Sequence, residues 1–151
     1  MTVRVQEADF DTQAEINAIT DGTDEIGGVA SFIGTVRKTH DGEMIKAMTL
    51  EHYPGMTEQA LETLKAQAQD RWPLYGVTII HRYGRLLPGA NIVLVITASQ
   101  HRQAAFDACQ FIMDYLKTDA PFWKAEELAD GTTRWVEPRT RDTAAKQRWS
   151  T

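Results

Sequence analysis

The sequence SQHRQAAFDACQFIMDYLKTDAPFWK, residues 99–124, decides the fold because it holds a long helical pattern between a start and a stop signal. Apolar residues recur in it at intervals of three and four, which places one stripe of an α-helix against a core. The stripe consists of Ala105, Ala108, Cys109, Ile112, Met113 and Leu116. Ser99 is a suitable N-cap and Asp119-Ala120-Pro121 is a stop signal, so we predict a long helix between them.

Basic side chains stand at both ends of this predicted helix. His101 and Arg102 lie in its first turn, where cations oppose the helix dipole and a bound phosphate would relieve the conflict. Lys117 and Lys124 lie on either side of the stop signal. A solvated first turn explains His101 and Arg102 equally well, and an ordinary helix-end cation is the simpler explanation of Lys117.

Lys124 has the most unusual surroundings of these four residues, because it follows the apolar sequence Pro121-Phe122-Trp123. Desolvation and a second cation nearby would both lower the pKa of a lysine toward that of a nucleophile or general base. The competing interpretation is an alternating strand from which Lys124 faces water. Arg37, considered alone, is open to the same interpretation.

Signals on either side of this stretch predict an α+β fold. Capping and periodicity predict a short helix over 11–19 and a first long helix over 54–72. The predicted strands are 2–6, 27–36, 45–52, 77–83, 91–99, 122–128 and 133–136. Asp41-Gly42 is a hairpin signal, which predicts antiparallel pairing of 27–36 with 45–52. We therefore expect a mixed sheet with two long helices and a C-terminal β-hairpin.

Composition bounds the class of protein. The chain has 151 residues, and we expect one domain over 1–151 that buries a core without disulfides or metal ions. Its single cysteine, Cys109, lies on the apolar stripe, which favours a core position over a sulfur-carrying role. The N-terminus lacks the apolar stretch of a signal peptide, and no apolar run could span a membrane, so we expect a cytoplasmic protein. The net charge of −5 argues against nucleic-acid binding.

The histidines and the C-terminal tail supply the remaining expectations. The four histidines show no metal-ligand spacing, so we expect no metal ion; they are His40, His52, His81 and His101. We interpret His52 and His81 as structural residues within strands and place them outside the functional site. From residue 137 onward apolar residues are few, which predicts a mobile tail over 137–151.

Three stretches of the chain resemble the large, catalytic subunit of molybdopterin synthase, the MoaE family. They are LEHYPGMTE (50–58), SQHRQAAFDACQFIMDYLKTDAPFWKAE (99–126) and RWVEPR (134–139). The resemblance implies an α/β-hammerhead fold and a homodimer of large subunits within a heterotetramer. It implies a small ubiquitin-like sulfur-carrier subunit as partner. The implied reaction transfers sulfur from the C-terminal thiocarboxylate of that subunit to cyclic pyranopterin monophosphate, forming the molybdopterin dithiolene.

The resemblance also implies which residues act in this sulfurtransferase reaction. Lys117 and Lys124 would be catalytic and would contact the substrate. The other implied substrate-binding residues are Thr35, Val36, Arg37, His101, Arg102, Ala125, Glu126 and Arg139. Ala125 has no polar side chain, so a contact there would come from its backbone, and the reaction needs no cofactor. The alternative is a noncatalytic module that binds a ubiquitin-like tail or a phosphorylated ligand through the same basic residues.

Helix geometry constrains how these residues can share one site. Residues 102 and 117 of an unbroken helix are separated by roughly 22 Å at 1.5 Å per residue. Both side chains could not comfortably hold one small precursor molecule. We therefore expect His101 and Arg102 of one subunit to meet Lys117 and Lys124 of the other across a two-fold interface.

Overall fold

The structure is a computed structural model that describes residues 2–136 and 140–150, without the side chains of Thr140 and Arg141. The strands are β1 (Thr2–Gln6), β2 (Gly28–Thr35), β3 (Thr39–His40), β4 (Glu43–His52), β5 (Leu74–Arg82), β6 (Gly84–Leu86), β7 (Asn91–Ser99), β8 (Phe122–Leu128) and β9 (Thr133–Val136). The helices are α1 (Thr12–Thr20), α2 (Met56–Arg71), α3 (Arg102–Leu116) and α4 (Thr140–Gln147). The predicted fold class, α+β with two long helices and a C-terminal hairpin, is confirmed. No helix in the described ranges is both long and apolar enough to cross a membrane.

Four strands form a mixed sheet in the order β1-β5-β7-β2. β1 runs parallel to β5, whereas the β5–β7 and β7–β2 pairs are antiparallel. The two inner strands are covered on both faces, which explains their nearly continuous apolar sequences. Val77 and Ile79 of β5 pack with α2 and α3, while Ile80 faces the opposite side and packs with Ile19 of α1.

A second sheet has the order β3-β4-β8-β9, with β6 also paired to β4. β8 and β9 form the predicted hairpin, and β8 returns along β4 so that Lys124 lies opposite Leu50. The predicted pairing of 27–36 with 45–52 is wrong, because β2 pairs with β7 instead. The Asp41-Gly42 turn, whose φ angles are +52° and +79°, connects β4 to the two-residue strand β3.

The helix α3 has the predicted apolar stripe but a different start. Ser99 is the last residue of β7 rather than an N-cap, and its buried Oγ donates a hydrogen bond of 2.8 Å to the carbonyl of Pro73. His101 occupies the N-cap position without making a side-chain capping bond. The helix ends where expected, since the Lys117 N–H bonds to the Met113 carbonyl at 3.1 Å and caps the last turn.

The described part of the tail makes contacts that the sequence analysis did not anticipate. Trp149, which follows α4, packs edge-on against Trp72 and Phe111, and its Nε1 donates a 2.7 Å hydrogen bond to Asp114 of α3. The Arg71 side chain donates to the Trp149 carbonyl at 3.0 Å. These contacts attach the tail to the two long helices in this conformation. The predicted mobility of 137–151 stays a prediction.

Candidate active site

A cavity of about 440 Å³ lies where the end of the first sheet, the C-terminal end of α3 and the hairpin strand β8 meet. We call it the lysine cavity, because Lys117 and Lys124 both line it. Of the other predicted site residues, Thr35, Arg37 and Glu126 line it as well. The fold therefore brings together residues from β2, α3 and β8 that are up to about ninety positions apart in sequence.

The two lysines reach the cavity from different elements. Lys117 caps α3, while Lys124 lies on β8 with its side chain on the cavity side of the strand. Burial, together with the positive charge and hydrogen bonding of Lys117, lowers the pKa of Lys124 to about 8, against the opposing effect of Asp142 and Glu126. Near neutral pH a fraction of Lys124 is therefore uncharged and can accept a proton or attack an electrophile.

Glu126 is the buried acid of the cavity. Only 2% of it is exposed, and its carboxylate accepts a 2.8 Å hydrogen bond from Nδ1 of His40 and a 3.1 Å bond from Nε of Arg134. Because two neighbours already occupy its oxygens, Glu126 is better placed to hold His40 and β9 than to bind an anionic substrate. Ala125 points to the other face of β8, is buried, and does not line the cavity, as alternation along a strand requires.

Arg37 and Val36 follow β2 and behave differently. Arg37 is exposed at the cavity, whereas Val36 is 3% exposed and packs in a separate small cluster with Leu50 and Leu86. The Val36 N–H donates to the Ala90 carbonyl at 2.9 Å, which ties the segment to the start of β7. Val36 thus anchors the segment that carries Arg37, and its side chain does not enter the cavity.

His101 and Arg102 do not line the lysine cavity of their own chain. They are exposed at the opposite end of α3, where the β2 backbone approaches the helix start so closely that a Cβ on Gly28 would lie 3.2 Å from the Arg102 Cα. Arg139, the remaining predicted site residue, lies outside the described residues. The single chain therefore assembles the lysine end of the predicted site and leaves its His101-Arg102 end apart.

Sequence reasoning missed His81, which lines the cavity beside the lysines. Burial, with a smaller contribution from the charges of Lys124 and Lys117, lowers its pKa to about 3, although the hydrogen bond to the Arg82 carbonyl opposes this shift. A signal was available: Val77, Ile79 and His81 share one face of β5, so an imidazole stands where that face predicts an apolar side chain.

Three further features of the cavity were missed or interpreted differently. His40 and Asp142 line it, and so does Phe122, whose ring stacks on His81 with centroids 3.7 Å apart.

Cys109 is buried, as predicted, and burial raises the pKa of its thiol to about 11. Among the described residues, no group of three or more histidine, cysteine or acidic side chains is arranged to hold a metal ion.

Comparisons with known proteins give one consistent result. The model of the family described as MoaE protein matches residues 5–119. The molybdopterin synthase catalytic subunit of Pseudomonas aeruginosa is 57% identical over 149 residues, which cover 99% of each chain. The solved molybdopterin biosynthesis MoaE protein of Burkholderia ambifaria is 52% identical with a TM-score of 0.84, covering 99% of this chain and 98% of that one. A solved molybdopterin synthase from Staphylococcus aureus is 25% identical with a TM-score of 0.82, covering 88% and 95%.

Proposed function

The chain belongs to the MoaE family, and we propose that it is the catalytic subunit of a molybdopterin synthase that transfers sulfur to cyclic pyranopterin monophosphate. The sulfur donor is the C-terminal thiocarboxylate of a small ubiquitin-like subunit. One observation carries the chemical part of the proposal. Two lysines from different elements line one cavity, and the pKa of one of them is lowered to about 8.

The reaction explains why the cavity is basic. Each sulfur addition releases the donor as an ordinary carboxylate, and opening the cyclic phosphate of the precursor also develops negative charge on oxygen. Fixed cations in a partly desolvated cavity stabilise such charge better than water does, because they need no reorganisation when it appears. Arg37, Lys117 and Lys124 supply these cations in this chain.

The two lysines have different roles because their surroundings differ. Lys124 exchanges protons near neutral pH because its pKa is about 8, so it serves as the general base and acid. Lys117 stands at the end of α3 and engages the donor's terminal carbonyl as it loses sulfur. Glu126 keeps β8 in register through its bonds to His40 and Arg134, and thereby fixes the position of Lys124 two residues earlier.

The partner subunit delivers its C-terminal glycines to the lysine cavity as an extended tail. This geometry follows from the chemistry, since the thiocarboxylate must reach the precursor. Removing the last two glycines of the partner should abolish transfer and most of the affinity. Unchanged binding together with unchanged transfer would refute tail insertion.

The complete site belongs to a homodimer. His101 and Arg102 are exposed at the end of α3 remote from the lysines, so a second chain brings them to the cavity, where they hold the phosphate and pterin. Thr35 contacts the same substrate from the cavity wall. Arg139 joins this set through the family resemblance alone.

The decisive experiment is reconstitution. The purified chain is incubated with thiocarboxylated partner and cyclic pyranopterin monophosphate, and molybdopterin is measured. Product formation supports the enzyme. Binding of both ligands without product would favour the noncatalytic module, for which Lys117→Arg and Lys124→Arg should preserve binding because they preserve charge.

A further inference from the structure

His81 occupies an unusual place in the wall of the lysine cavity. The register of the first sheet puts Gly34, Val93 and His81 side by side on three adjacent strands, and all three line the cavity. This row continues the face on which Val77 and Ile79 contact the helices. His81 is therefore a polar ring on an otherwise apolar face, with only 7% of its surface exposed. Burial of a polar group at such a position costs free energy unless the group is hydrogen-bonded.

The hydrogen bonding of His81 fixes which nitrogen faces the cavity. Its Nδ1 lies 2.8 Å from the Arg82 carbonyl oxygen, and because a carbonyl only accepts, Nδ1 must carry the proton. The Phe122 ring lies nearly parallel to the imidazole, at an angle of 19°, and so restricts tilting of the imidazole plane. Nε2 is consequently an acceptor with a free lone pair, and no described side chain, in residues 2–136 or 142–150, donates a hydrogen bond to it.

The charged groups of the cavity leave a role for a neutral acceptor beside them. Arg37 and the charged forms of Lys117 and Lys124 can only donate, and the Glu126 carboxylate is already engaged by His40 and Arg134. Asp142 offers a carboxylate, but a negative charge repels a phosphate or a thiocarboxylate. A neutral imidazole accepts a hydrogen bond without that repulsion. Its low pKa, about 3, keeps it neutral at every physiological pH.

We propose that His81 is a further substrate-binding residue, whose Nε2 accepts a hydrogen bond from an N–H group of the ligand in the lysine cavity. Two ligands of the proposed reaction carry such groups: the pterin ring of the precursor, and the backbone amides of the partner's glycine tail. The inference rests on the proposed function for the identity of these ligands. It does not assign a proton transfer to His81, because so weak a base is a poor proton acceptor.

Two variants separate hydrogen bonding from packing. His81→Phe keeps an aromatic ring against Phe122 and removes the acceptor, whereas His81→Gln keeps an amide oxygen as acceptor and removes the ring. Reconstituted synthase is assayed while the precursor and the thiocarboxylated partner are varied in turn. We expect His81→Phe to raise KM about tenfold or more for the ligand that supplies the N–H, with His81→Gln closer to the parent. A rise for the precursor alone assigns the pterin ring, and a rise for the partner alone assigns the tail amide.

Other outcomes of this assay overturn the proposal. The first is an unchanged KM for both ligands in His81→Phe. The second is a larger rise of KM in His81→Gln than in His81→Phe. Either result would indicate that His81 only packs. The wild-type assay is done first, so a failure of the proposed function itself appears there as absence of product.

A measurement on the wild-type protein covers the case in which the variants do not fold. The ring nitrogens are labelled with ¹⁵N, and the His81 signals are assigned by elimination with variants of the other three histidines. Partner ending in an ordinary carboxylate is added to one sample and cyclic pyranopterin monophosphate to another. A shift of the unprotonated Nε2 signal toward lower frequency in either sample supports the proposal, and no shift in both overturns it.

Discussion

The two ends of α3 carry similar basic side chains, but only the C-terminal end adjoins the lysine cavity. At the C-terminal end, the exposed Lys117 lines a cavity with the half-buried Lys124, whose pKa is lowered by burial. At the N-terminal end, His101 and Arg102 are exposed and do not line that cavity. The first end lines a cavity that one chain builds, whereas the second is exposed and lies outside that cavity.

Residue type alone therefore does not make a functional site. Both ends oppose or complement the helix dipole by about the same small energy, roughly 0.3–1 kcal/mol at an exposed position. What differs is the desolvation that shifts the pKa of a lysine, and that requires β8 and the first sheet to close around it. Substitutions at either end of α3 test this difference.

The largest effect is expected at the C-terminal end of α3, beside the lysine cavity. Lys117→Arg keeps the charge but removes an amine that can engage the donor carbonyl, so sulfur transfer should fall by about 100-fold or more. The measurement is molybdopterin formation by the reconstituted enzyme. Lys46→Arg, an exposed substitution on β4, is the matched control and should be neutral. A Lys117→Arg protein that binds precursor and works near the parent rate would remove Lys117 from the mechanism.

The N-terminal end of α3 is tested by complementation between two variant chains. An Arg102→Ala chain and a Lys117→Ala chain should each be nearly inactive as homodimers. If sites are shared, their heterodimer has one intact site of two, and purified heterodimers should recover up to about half of the parent activity. The control heterodimer pairs the double variant with a parent chain and should be inactive under the same model. The reverse pattern would place Arg102 and Lys117 of one chain in one site.

Trp149→Ala tests how firmly the tail is attached to the two long helices. Trp149 contacts Trp72 and Phe111 and hydrogen-bonds Asp114, which is 6% exposed. Its removal should lower the free energy of unfolding by about 2–3 kcal/mol, measured by denaturant titration. Trp135→Ala, at a tryptophan that is 61% exposed, is the matched control and should cost far less. Equal, small losses would mean that Trp149 is undocked in solution, as a mobile tail requires.

Lys124→Met should change stability least and in the favourable direction. The folded-state pKa of about 8 lies below the usual 10.5, so the folded protein holds the Lys124 proton less tightly than the unfolded chain does. The resulting destabilisation is complete below pH 8 and disappears as pH rises toward 10.5. Lys124→Met should therefore raise stability at pH 7, on the order of 1–2 kcal/mol, and lose this advantage near pH 10.

The matched control for this pH dependence is Lys46→Met on the exposed side of β4. Its effect on stability should be the same at pH 7 and at pH 10. Melting temperatures of both variants are compared across this range. A gain for Lys124→Met that does not vary with pH would mean that packing, rather than charge burial, causes it. Activity should fall in Lys124→Met, since the exchangeable proton is gone.

Much of the local structure could be predicted from the sequence, because caps, stripes and turns act over a few residues. The stripe of α3, the Asp11 cap of α1 and the β8–β9 hairpin are examples, and all are present. Strand pairing could not be predicted in the same way. Asp41-Gly42 does form a hairpin turn, but the strand that precedes it is the short β3, while β2 finds its partner more than fifty residues later.

The candidate site was only partly accessible to sequence reasoning for the same reason. Lys117 and Lys124 lie close in sequence, so their common cavity was foreseeable. His81 comes from the first sheet and gains its importance only when Phe122 and both lysines pack around it. Nothing within a few residues of His81 distinguishes it from a structural histidine, except its place on an apolar face.

The strand order also determines when each part of the molecule can form during synthesis. β2 has no partner until β7 has been made, and one edge of β4 stays unpaired until β8 follows, some seventy residues later. The first sheet is complete at residue 99, whereas the cavity lacks a wall until the hairpin appears. A chain halted between these points would hold a complete first sheet beside an open strand edge, the arrangement that invites aggregation. Translation thus builds the first sheet before the cavity wall that carries Lys124.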